Sequence, residues 1–372
     1  MMKITVRKND ILDVLSKIQG ITGRKSNLAI TSCVLMTAHA DGVVFQVTDL
    51  ETGFEGHYGA SVENTGSAAI NARKFFEIVR DFPSDDILIN EVDNHWLEIG
   101  NGSVEYHIVG MNPEDFPEIP ALEDIPYFSL DSLQLKRMIE KSLIIGPTDD
   151  KRAHIIGVFF EEISGADRAA VRMVSTDGSR LSKVDCIMES AVPLGLDGGA
   201  IIPKKGLQEV NKFLDIEGSV SAGFKENHFV VKKDKELIII RLLEGDFPKY
   251  HDLVAMTGGQ DITLDKHPFQ MMLKRMSILG SENYKGVIFK FSDGKLVVSS
   301  TNPDIGESKE DMAVSYQGST MEMAFNPRYF IDAVSVIDDD SVTLHIIDEE
   351  KPCMIRGDAD SGYVCVIMPM RI

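Results

Sequence analysis

The amino-acid sequence predicts an α+β protein of three homologous domains, each with two helices packed on antiparallel sheets. The main observation is an amphipathic pattern that occurs at 69–83, 201–215 and 324–338. In each copy apolar residues three or four apart follow a cation, which places them on one helix face. The cations are Arg73, Lys204 and Arg328, 131 and 124 residues apart. This period is the size of a domain and far longer than a solenoid repeat.

Two further marks recur in the same order and with nearly the same period. A Thr-Asp or Thr-Asn pair follows a β-rich run at 48–49, 176–177 and 301–302. An aromatic or Met residue before proline closes each repeat at 116–117, 247–248 and 368–369. We therefore predict three domains, at 1–123, 124–255 and 256–372.

Within each repeat the residues predict a helix, strands, a second helix and further strands. Apolar residues at helical spacing predict the helices, and Gly20 and Gly23 are expected to break the first of them. The third repeat has Pro268 near its start, a residue tolerated in a first helical turn. Alternating apolar runs joined by Ala-Asp-Gly at 40–42 predict a β-hairpin. The predicted helices are 6–25, 72–82, 131–145, 203–215, 263–280 and 325–337.

Composition indicates a globular protein of a reducing compartment. The chain has 372 residues, is 43% hydrophobic and contains no apolar run of the ~18 residues that a membrane span needs. Its start lacks the apolar core of a signal peptide. The four cysteines are scattered and never form Cys-x-x-Cys, so we expect neither disulfides nor zinc. A cytoplasmic location fits this pattern.

The charge of the chain is segregated. The net charge is −20, which argues against a nucleic-acid partner unless the cations are gathered on one surface. The six predicted helices carry a net charge of +8, which leaves −28 on the rest of the chain. Helices favour Glu as well as Lys and Arg, so this difference indicates a positive helical face.

The sequence lacks the common catalytic motifs. It contains no His-Glu-x-x-His, Gly-x-Ser-x-Gly, Walker or dinucleotide-binding motif, and its nine histidines are dispersed. The segment at 20–26 has the wrong spacing for a phosphate loop. Acidic runs at 338–340 and 348–350 could hold a hard cation, but solvated loop carboxylates are the default reading. We therefore expect a binding protein with no catalytic residues, no resident metal and no cofactor.

Four segments carry a resemblance to a known family across the whole chain. They are ARKFF at 72–76, STDGSRLS at 175–182, EGDFPKY at 244–250 and VIMPMRI at 366–372. Together they resemble the bacterial DNA polymerase III β subunit, the sliding clamps. The resemblance implies the DNA clamp fold and a head-to-tail, ring-forming homodimer that encircles double-stranded DNA without sequence specificity. It also implies that short linear peptides bring the replicative DNA polymerase, the clamp loader and repair proteins to the ring.

The resemblance implies three sets of site residues. The DNA-facing residues are Arg24, Arg73, Arg152, Lys204 and Lys205. A peptide-binding groove is lined by Ile155, Thr176, Gly178, Arg180, Leu181, Pro248, Leu253, Val366, Met368, Pro369, Met370 and Arg371. The dimer interface contains Lys74, Tyr106 and Ile108 on the first domain, and Ile278, Leu279, Asp304 and Glu307 on the third.

Some positions depart from the family pattern, and two other functions stay open. Asp252 and Ser179 stand where the family often has other residues beside the groove, which leaves the peptide preference undecided. One alternative is an enzyme that acts on phosphate substrates through Arg24, Lys25 and Ser26. The other is an acidic three-domain scaffold that binds proteins and never encircles DNA.

Overall fold

The fold was determined as a computed structural model. The structure describes residues 1–23, 28–146, 152–164, 169–188, 194, 196, 198–280 and 286–371. Within these ranges no helix combines the length and the apolar character needed to cross a bilayer.

The three repeats share one order of strands and long helices, apart from an additional strand at Ser61–Asn64 in the first and an additional short helix at His251–Val254 in the second. The elements of the first repeat are β1 (Lys3–Arg7), α1 (Lys8–Lys17), α2 (Gln19–Thr22), β2 (Cys33–His39), β3 (Gly42–Thr48), β4 (Thr52–Tyr58), β5 (Ser61–Asn64), β6 (Gly66–Asn71), α3 (Ala72–Asp81), β7 (Asp86–Glu91), β8 (Trp96–Gly100) and β9 (Glu105–Val109). Short 3-10 helices lie at Ala29–Ser32, Asp93–His95 and Pro113–Asp115.

The second and third repeats follow the same plan. The elements of the second are β10 (Tyr127–Asp131), α4 (Ser132–Leu143), α5 (Ala153–Ile156), β11 (Gly157–Ser164), β12 (Ala169–Thr176), β13 (Arg180–Ile187), β14 (Ala200–Pro203), α6 (Lys204–Phe213), β15 (Ser219–Lys225), β16 (His228–Lys233), β17 (Glu236–Arg241) and α7 (His251–Val254). Those of the third are β18 (Gln260–Asp265), α8 (Lys266–Met276), a 3-10 turn at Ser277–Leu279, β19 (Val287–Ser292), β20 (Lys295–Asn302), β21 (Gly306–Ala313), β22 (Met321–Phe325), α9 (Pro327–Ser335), β23 (Ser341–Ile346), β24 (Cys353–Arg356) and β25 (Tyr363–Ile367).

The chain forms two compact units, and each contains two antiparallel sheets. The first unit consists mainly of Met1–Leu133 and Lys205–Leu242, and the second mainly of Gln134–Met188 and Leu243–Ile372. The first unit has a sheet of order β5-β1-β7-β8-β9 and another of order β10-β15-β16-β17-β4-β3-β2-β6. The second has sheets of order β14-β11-β12-β13-β25-β24-β23-β18 and β21-β20-β19-β22. The eight-stranded sheets therefore each combine strands of two successive repeats.

The apolar stripes predicted from the sequence form the helix contacts of each unit. In the first unit α1 packs against α3, and Phe75 and Val79 of α3 are fully buried. Asn71 caps α3 because its side chain accepts a hydrogen bond from the backbone N–H of Lys74. In the second unit α8 packs against α9, with the rings of Phe269 and Phe330 edge to face at 6.2 Å.

Two sequence expectations about element ends are wrong. Gly20 does not end the first helical region, because it lies inside α2, and α1 ends earlier, at Lys17. A side chain at position 20 would collide with the carboxylate of Glu209, so the glycine permits close packing there. The predicted helix at 263–280 begins three residues too early, since residues through Asp265 belong to β18.

Candidate functional site

The turn between β12 and β13 gives one side of the candidate groove a fixed shape. The hydroxyl of Thr176 donates to the carbonyl of Arg180 at 2.8 Å and accepts from the N–H of Gly178 at 3.1 Å. Gly178 has φ 88°, which favours glycine, and a Cβ there would meet no atom within 4 Å. The turn therefore presents open backbone next to the start of β13.

Arg180 is locked in place and joins the second and third repeats within one unit. Its Nε donates to Asp177 at 3.0 Å, one Nη to Asp332 at 2.7 Å, and the other to the carbonyl of Ile144 at 3.2 Å. The guanidinium also lies 4.4 Å from the ring centroid of Tyr329. Burial alone would lower the pKa of Arg180, but the hydrogen bonds to both aspartates outweigh it and raise this pKa. With these contacts, Arg180 braces one wall of the groove.

An apolar cluster forms the floor beneath this turn. Leu181 of β13 pairs with Val366 of β25, and both side chains are buried. The cluster contains Val174, Leu181, Tyr250, Met354 and Val366. Five partly buried side chains pack against it, namely Phe159, Phe247, Val254, Met256 and Val364.

Tyr250 anchors the floor through its polar end. Its hydroxyl donates to Glu161 and accepts from Arg172 at 3.2 Å. Arg172 in turn holds Asp185 through two hydrogen bonds of 2.7 and 2.9 Å. Burial and the bond to Glu161 raise the pKa of Tyr250, so the phenol stays protonated at neutral pH.

The rim of the candidate groove is apolar and exposed. Leu253 on α7, Met368 and Met370 all present a third or more of their surface to solvent. The backbone N–H of Met368 donates to Ser179 at 2.9 Å, and that of Met370 to Ala324 at 2.7 Å. These bonds tie the C-terminal segment to the second and third repeats, while Pro248 and Arg371 are exposed and Pro369 is half-buried.

Ile155 and Lys204 form a buried pair, which corrects one sequence expectation. Lys204 was expected to face DNA, but it is 0% exposed, and its ammonium donates to the carbonyl of Ile155 at 2.6 Å. A covered ammonium cannot meet a phosphate, so Lys204 does not belong to the DNA-facing set. Its contact instead holds α5, whose Ile155 is itself buried.

The other predicted DNA-facing residues fall into two groups. Arg73 on α3, Lys205 on α6 and Arg152 before α5 are exposed, and Arg73 pairs with Glu77 at 3.3 Å. Arg24, together with Lys25 and Ser26 of the alternative phosphate site, lies outside the described residues. Exposed cations on two of the helices agree with the predicted positive helical face.

The predicted interface residues that belong to strands lie at two sheet edges. Tyr106 and Ile108 belong to β9, Glu307 belongs to β21, and Asp304 precedes β21 in the turn after β20. Ile278 lies in the 3-10 turn at Ser277–Leu279 and is highly exposed. Lys74 pairs with Glu77 of its own helix at 2.8 Å.

Sequence reasoning missed several groove residues. Tyr250 is the last residue of the EGDFPKY segment, which helped to carry the family resemblance. The sequence did not indicate that its ring would be buried. Val174 and Met354 come from strands whose neighbours become known only from the sheet order. The only signal for them was the apolar pattern of their strands. Such a pattern predicts that a residue is buried, but it does not predict which residues it packs against.

The acidic runs have structural roles in the described part of the chain. Asp348 accepts hydrogen bonds from the N–H groups of Glu350 and Lys351, both at 2.9 Å. Asp339 accepts one from Ala359 at 3.0 Å. Asp348 thus caps a local turn, as loop acids commonly do, whereas Asp339 joins two segments 20 residues apart.

Comparisons with known proteins agree over the full length. The N-terminal, central and C-terminal domain models of the DNA polymerase III beta subunit match residues 2–120, 129–249 and 257–371. The beta sliding clamp of Chlamydia pneumoniae is 30% identical over 371 residues, covering 100% of this chain and 99% of the relative. That of Pseudomonas putida is 27% identical with complete coverage of both chains.

Solved structures agree as well. The sliding clamp of Bartonella birtlesii bound to griselimycin is 25% identical and aligns with a TM-score of 0.93. The DNA polymerase III subunit beta of Pseudomonas aeruginosa is 25% identical with a TM-score of 0.92, and both comparisons cover all of each chain. The predicted clamp fold is thus confirmed, and the chain belongs to the DNA polymerase III beta subunit family, the bacterial sliding clamps.

Proposed function

We propose that two copies of this chain close head to tail into a ring that encircles duplex DNA. The ring tethers the replicative DNA polymerase, the clamp loader and repair proteins in the cytoplasm, and it confers processivity without catalysing a reaction. Membership of the sliding clamp family supports the DNA-encircling role. The observation that carries ring closure is a pair of sheet edges, β9 and β21, which end their sheets in the described part of the chain.

The internal repeat indicates what these edges pair with. Inside the chain, β17 pairs with β4 and β25 pairs with β13, both antiparallel. In each case the last strand of one repeat pairs with the strand that follows the central hairpin of the preceding repeat. By the same rule β21 of the third repeat pairs with β9 of the next molecule. Pairing also explains how two exposed edges avoid uncontrolled aggregation.

The repeat also supplies a register for this pairing. Isolated bridges make Met111, Leu243 and Met370 equivalent positions that follow the last strands. Thr48, Thr176 and Thr301 occupy equivalent positions near the ends of β3, β12 and β20. The residues that pair with them are therefore equivalent as well, namely Gly53, Leu181 and Glu307.

Both internal junctions obey one spacing. Gly53 pairs with Ile239, four residues before Leu243. Leu181 pairs with Val366, four residues before Met370. The same spacing pairs Glu307 with His107, four residues before Met111. The neighbouring pairs are then Ile108 with Gly306, Tyr106 with Ser308 and Val109 with Ile305.

This register gives the seam an apolar contact on each of its two faces. Trp96 pairs with Val109 on β8 and β9, and Val109 and Ile305 are 60% and 62% exposed in the single chain. Trp96, Val109 and the partner's Ile305 would form one row. On the other face Tyr106 and Ile108 would meet Ile278 and Leu279, the contact that the sequence predicts. Covering such groups is a driving force for closure.

The charge pattern suits a ring that slides. Arg73, Arg152 and Lys205 are exposed, and the chain as a whole carries −20. A strongly acidic exterior repels DNA, whereas a mildly positive lumen attracts phosphates weakly and without reading bases. Weak attraction to any sequence lets the ring move along the duplex.

The groove suits short linear motifs. Leu253, Met368 and Met370 form an adaptable apolar rim over a rigid floor, a combination that accommodates different apolar peptide anchors. Polar backbone at Gly178, with Pro248 and Pro369 nearby, can fix the direction of an extended peptide.

The proposed function is tested by loading the protein onto nicked circular DNA with a clamp loader and then linearising the DNA. We expect retention on the circle and loss after linearisation, because a ring leaves through a free end. Equal retention on both forms would contradict encirclement and favour the acidic scaffold. Turnover of a nucleotide by the purified chain alone, abolished by changing Arg24, would favour the enzyme.

A further inference from the structure

A histidine and two glutamates meet on the exposed face of the β8–β9 ribbon. Glu98 of β8 pairs directly with His107 of β9, and Glu105 lies two residues before His107 on the same face. One ring nitrogen of His107 is 3.8 Å from Glu98 Oε1, and the other is 3.6 Å from Glu105 Oε1. One ligand atom from each of the three residues lies within 4.8 Å of the others.

A neighbouring amide fixes one of these ligands. Asn90 of β7 pairs with Glu98, and its Nδ2 donates to Glu98 Oε2 at 3.0 Å. That bond leaves Glu98 Oε1 directed to His107. Groups that orient a metal ligand through its remaining atom are a common part of metal sites.

We propose that Glu98, Glu105 and His107 bind a zinc ion at the seam of the ring, with Glu307 of the second copy as the fourth ligand. This inference rests on the proposed ring, because the register that pairs Glu307 with His107 comes from it. The four donors are imidazole nitrogen and carboxylate oxygens, which zinc accepts at about 2.0–2.2 Å. The two separations above involve different ring nitrogens, so the ion takes one nitrogen of His107 and the glutamate beside the other nitrogen rotates toward it.

Charge gives the ion a role in closure. Without it, the register brings the partner's Glu307 against a histidine already flanked by two carboxylates, and like charges across paired strands are unfavourable. Lys309 of the partner faces Glu105 in the same register, and its positive charge balances one of the three carboxylates. A divalent cation balances the other two. Zinc should therefore bind the closed seam more tightly than the single chain, and so stabilise the dimer by linkage.

The test measures zinc binding and dimerisation separately. Protein stripped with EDTA is titrated with zinc chloride by calorimetry, and its dimer dissociation constant is measured by sedimentation with and without zinc. We expect one zinc per chain and a dimer at least tenfold tighter with zinc. Magnesium at the same concentration should not substitute, because it prefers six oxygen ligands.

His107→Gln should weaken zinc binding at least tenfold. The matched control is His57→Gln, which removes a histidine 3.2 Å from Glu55 on β4, also two residues away on one strand. In β4 no second glutamate pairs with that histidine, since Val44 lies opposite it. Glu307→Gln should keep zinc binding by the single chain and lose the zinc-dependent tightening of the dimer.

The outcomes separate the two proposals. A stable dimer with no zinc binding, or with zinc binding unchanged by His107→Gln, overturns the zinc site and leaves the ring intact. A chain that stays monomeric with and without zinc overturns the ring. In that case the partner's Glu307 drops out of the proposed site.

Discussion

At the scale of the residue, the burial of Lys204 has a direct effect on stability. Burial is the main reason that the pKa of Lys204 falls to about 8, and nearby Arg180 lowers it further while Asp177 opposes the fall. Below pH 8 the ammonium is protonated in both the folded and the unfolded chain, so folding includes the cost of burying a charge.

We expect the wild-type chain to gain stability relative to Lys204→Met as the pH rises from 8 to 10.5. In that window the unfolded chain keeps the proton and the folded chain has lost it, so the free energy of unfolding rises with pH. The gain should approach about 3 kcal/mol across the window. Urea unfolding at a series of pH values measures it.

The control for this prediction is Lys205→Met, the exposed neighbour on α6. Its difference from the wild type should stay nearly constant over the same pH range. If the difference in unfolding free energy between the wild type and Lys204→Met is equally independent of pH, the ammonium is solvated, contrary to the burial described above.

At the scale of the element, the exposed rim and the buried floor of the groove should respond differently to truncation. Met370→Ala should weaken the binding of a polymerase-derived peptide by more than ~1 kcal/mol, because apolar anchors carry much of the energy of such interfaces. Stability should change little, since Met370 is 41% exposed. Calorimetry with the peptide and urea unfolding measure the two effects.

Ile216→Ala is the matched control, because Ile216 is also exposed and lies outside the groove. It should leave peptide affinity unchanged. Leu181→Ala is less informative, because this buried side chain belongs to the floor and its loss also lowers stability. Equal peptide affinity in the wild type and Met370→Ala would remove the groove assignment.

The elements themselves were largely predictable, because helix stripes and hairpin turns are local signals. Phe75 and Val79 lie where their spacing puts them, and α3, α6 and α9 begin within two residues of the predicted starts. Burial of Lys204 was not predictable, since it depends on the carbonyl of Ile155, 49 residues away. The meeting of Glu98 and His107 likewise requires strand register, which composition does not reveal. The three-domain boundaries stay a prediction.

At the scale of the whole molecule, the seam register can be tested by disulfide formation. A chain carrying Tyr106→Cys and Ser308→Cys should form a covalent dimer on mild oxidation, because directly paired residues lie within disulfide reach. The native cysteines are buried, and burial raises the pKa of Cys353 and Cys365, so they should not interfere. Non-reducing electrophoresis measures the yield.

Tyr106→Cys combined with Glu307→Cys is the control, since a shift of one residue turns the second thiol to the opposite face. It should give little covalent dimer. A higher yield from the control pair would show that the seam is displaced by one residue from the internal junctions.

The chain's one tryptophan lies on β8, beside the edge strand that would form the proposed seam, and this gives the protein a built-in optical probe. Trp96 is 41% exposed in the single chain, next to Val109 on the edge strand. Opening and resealing should therefore change the emission wavelength of the unlabelled protein. The kinetics of a clamp loader could then be followed by stopped-flow fluorescence without attaching a dye.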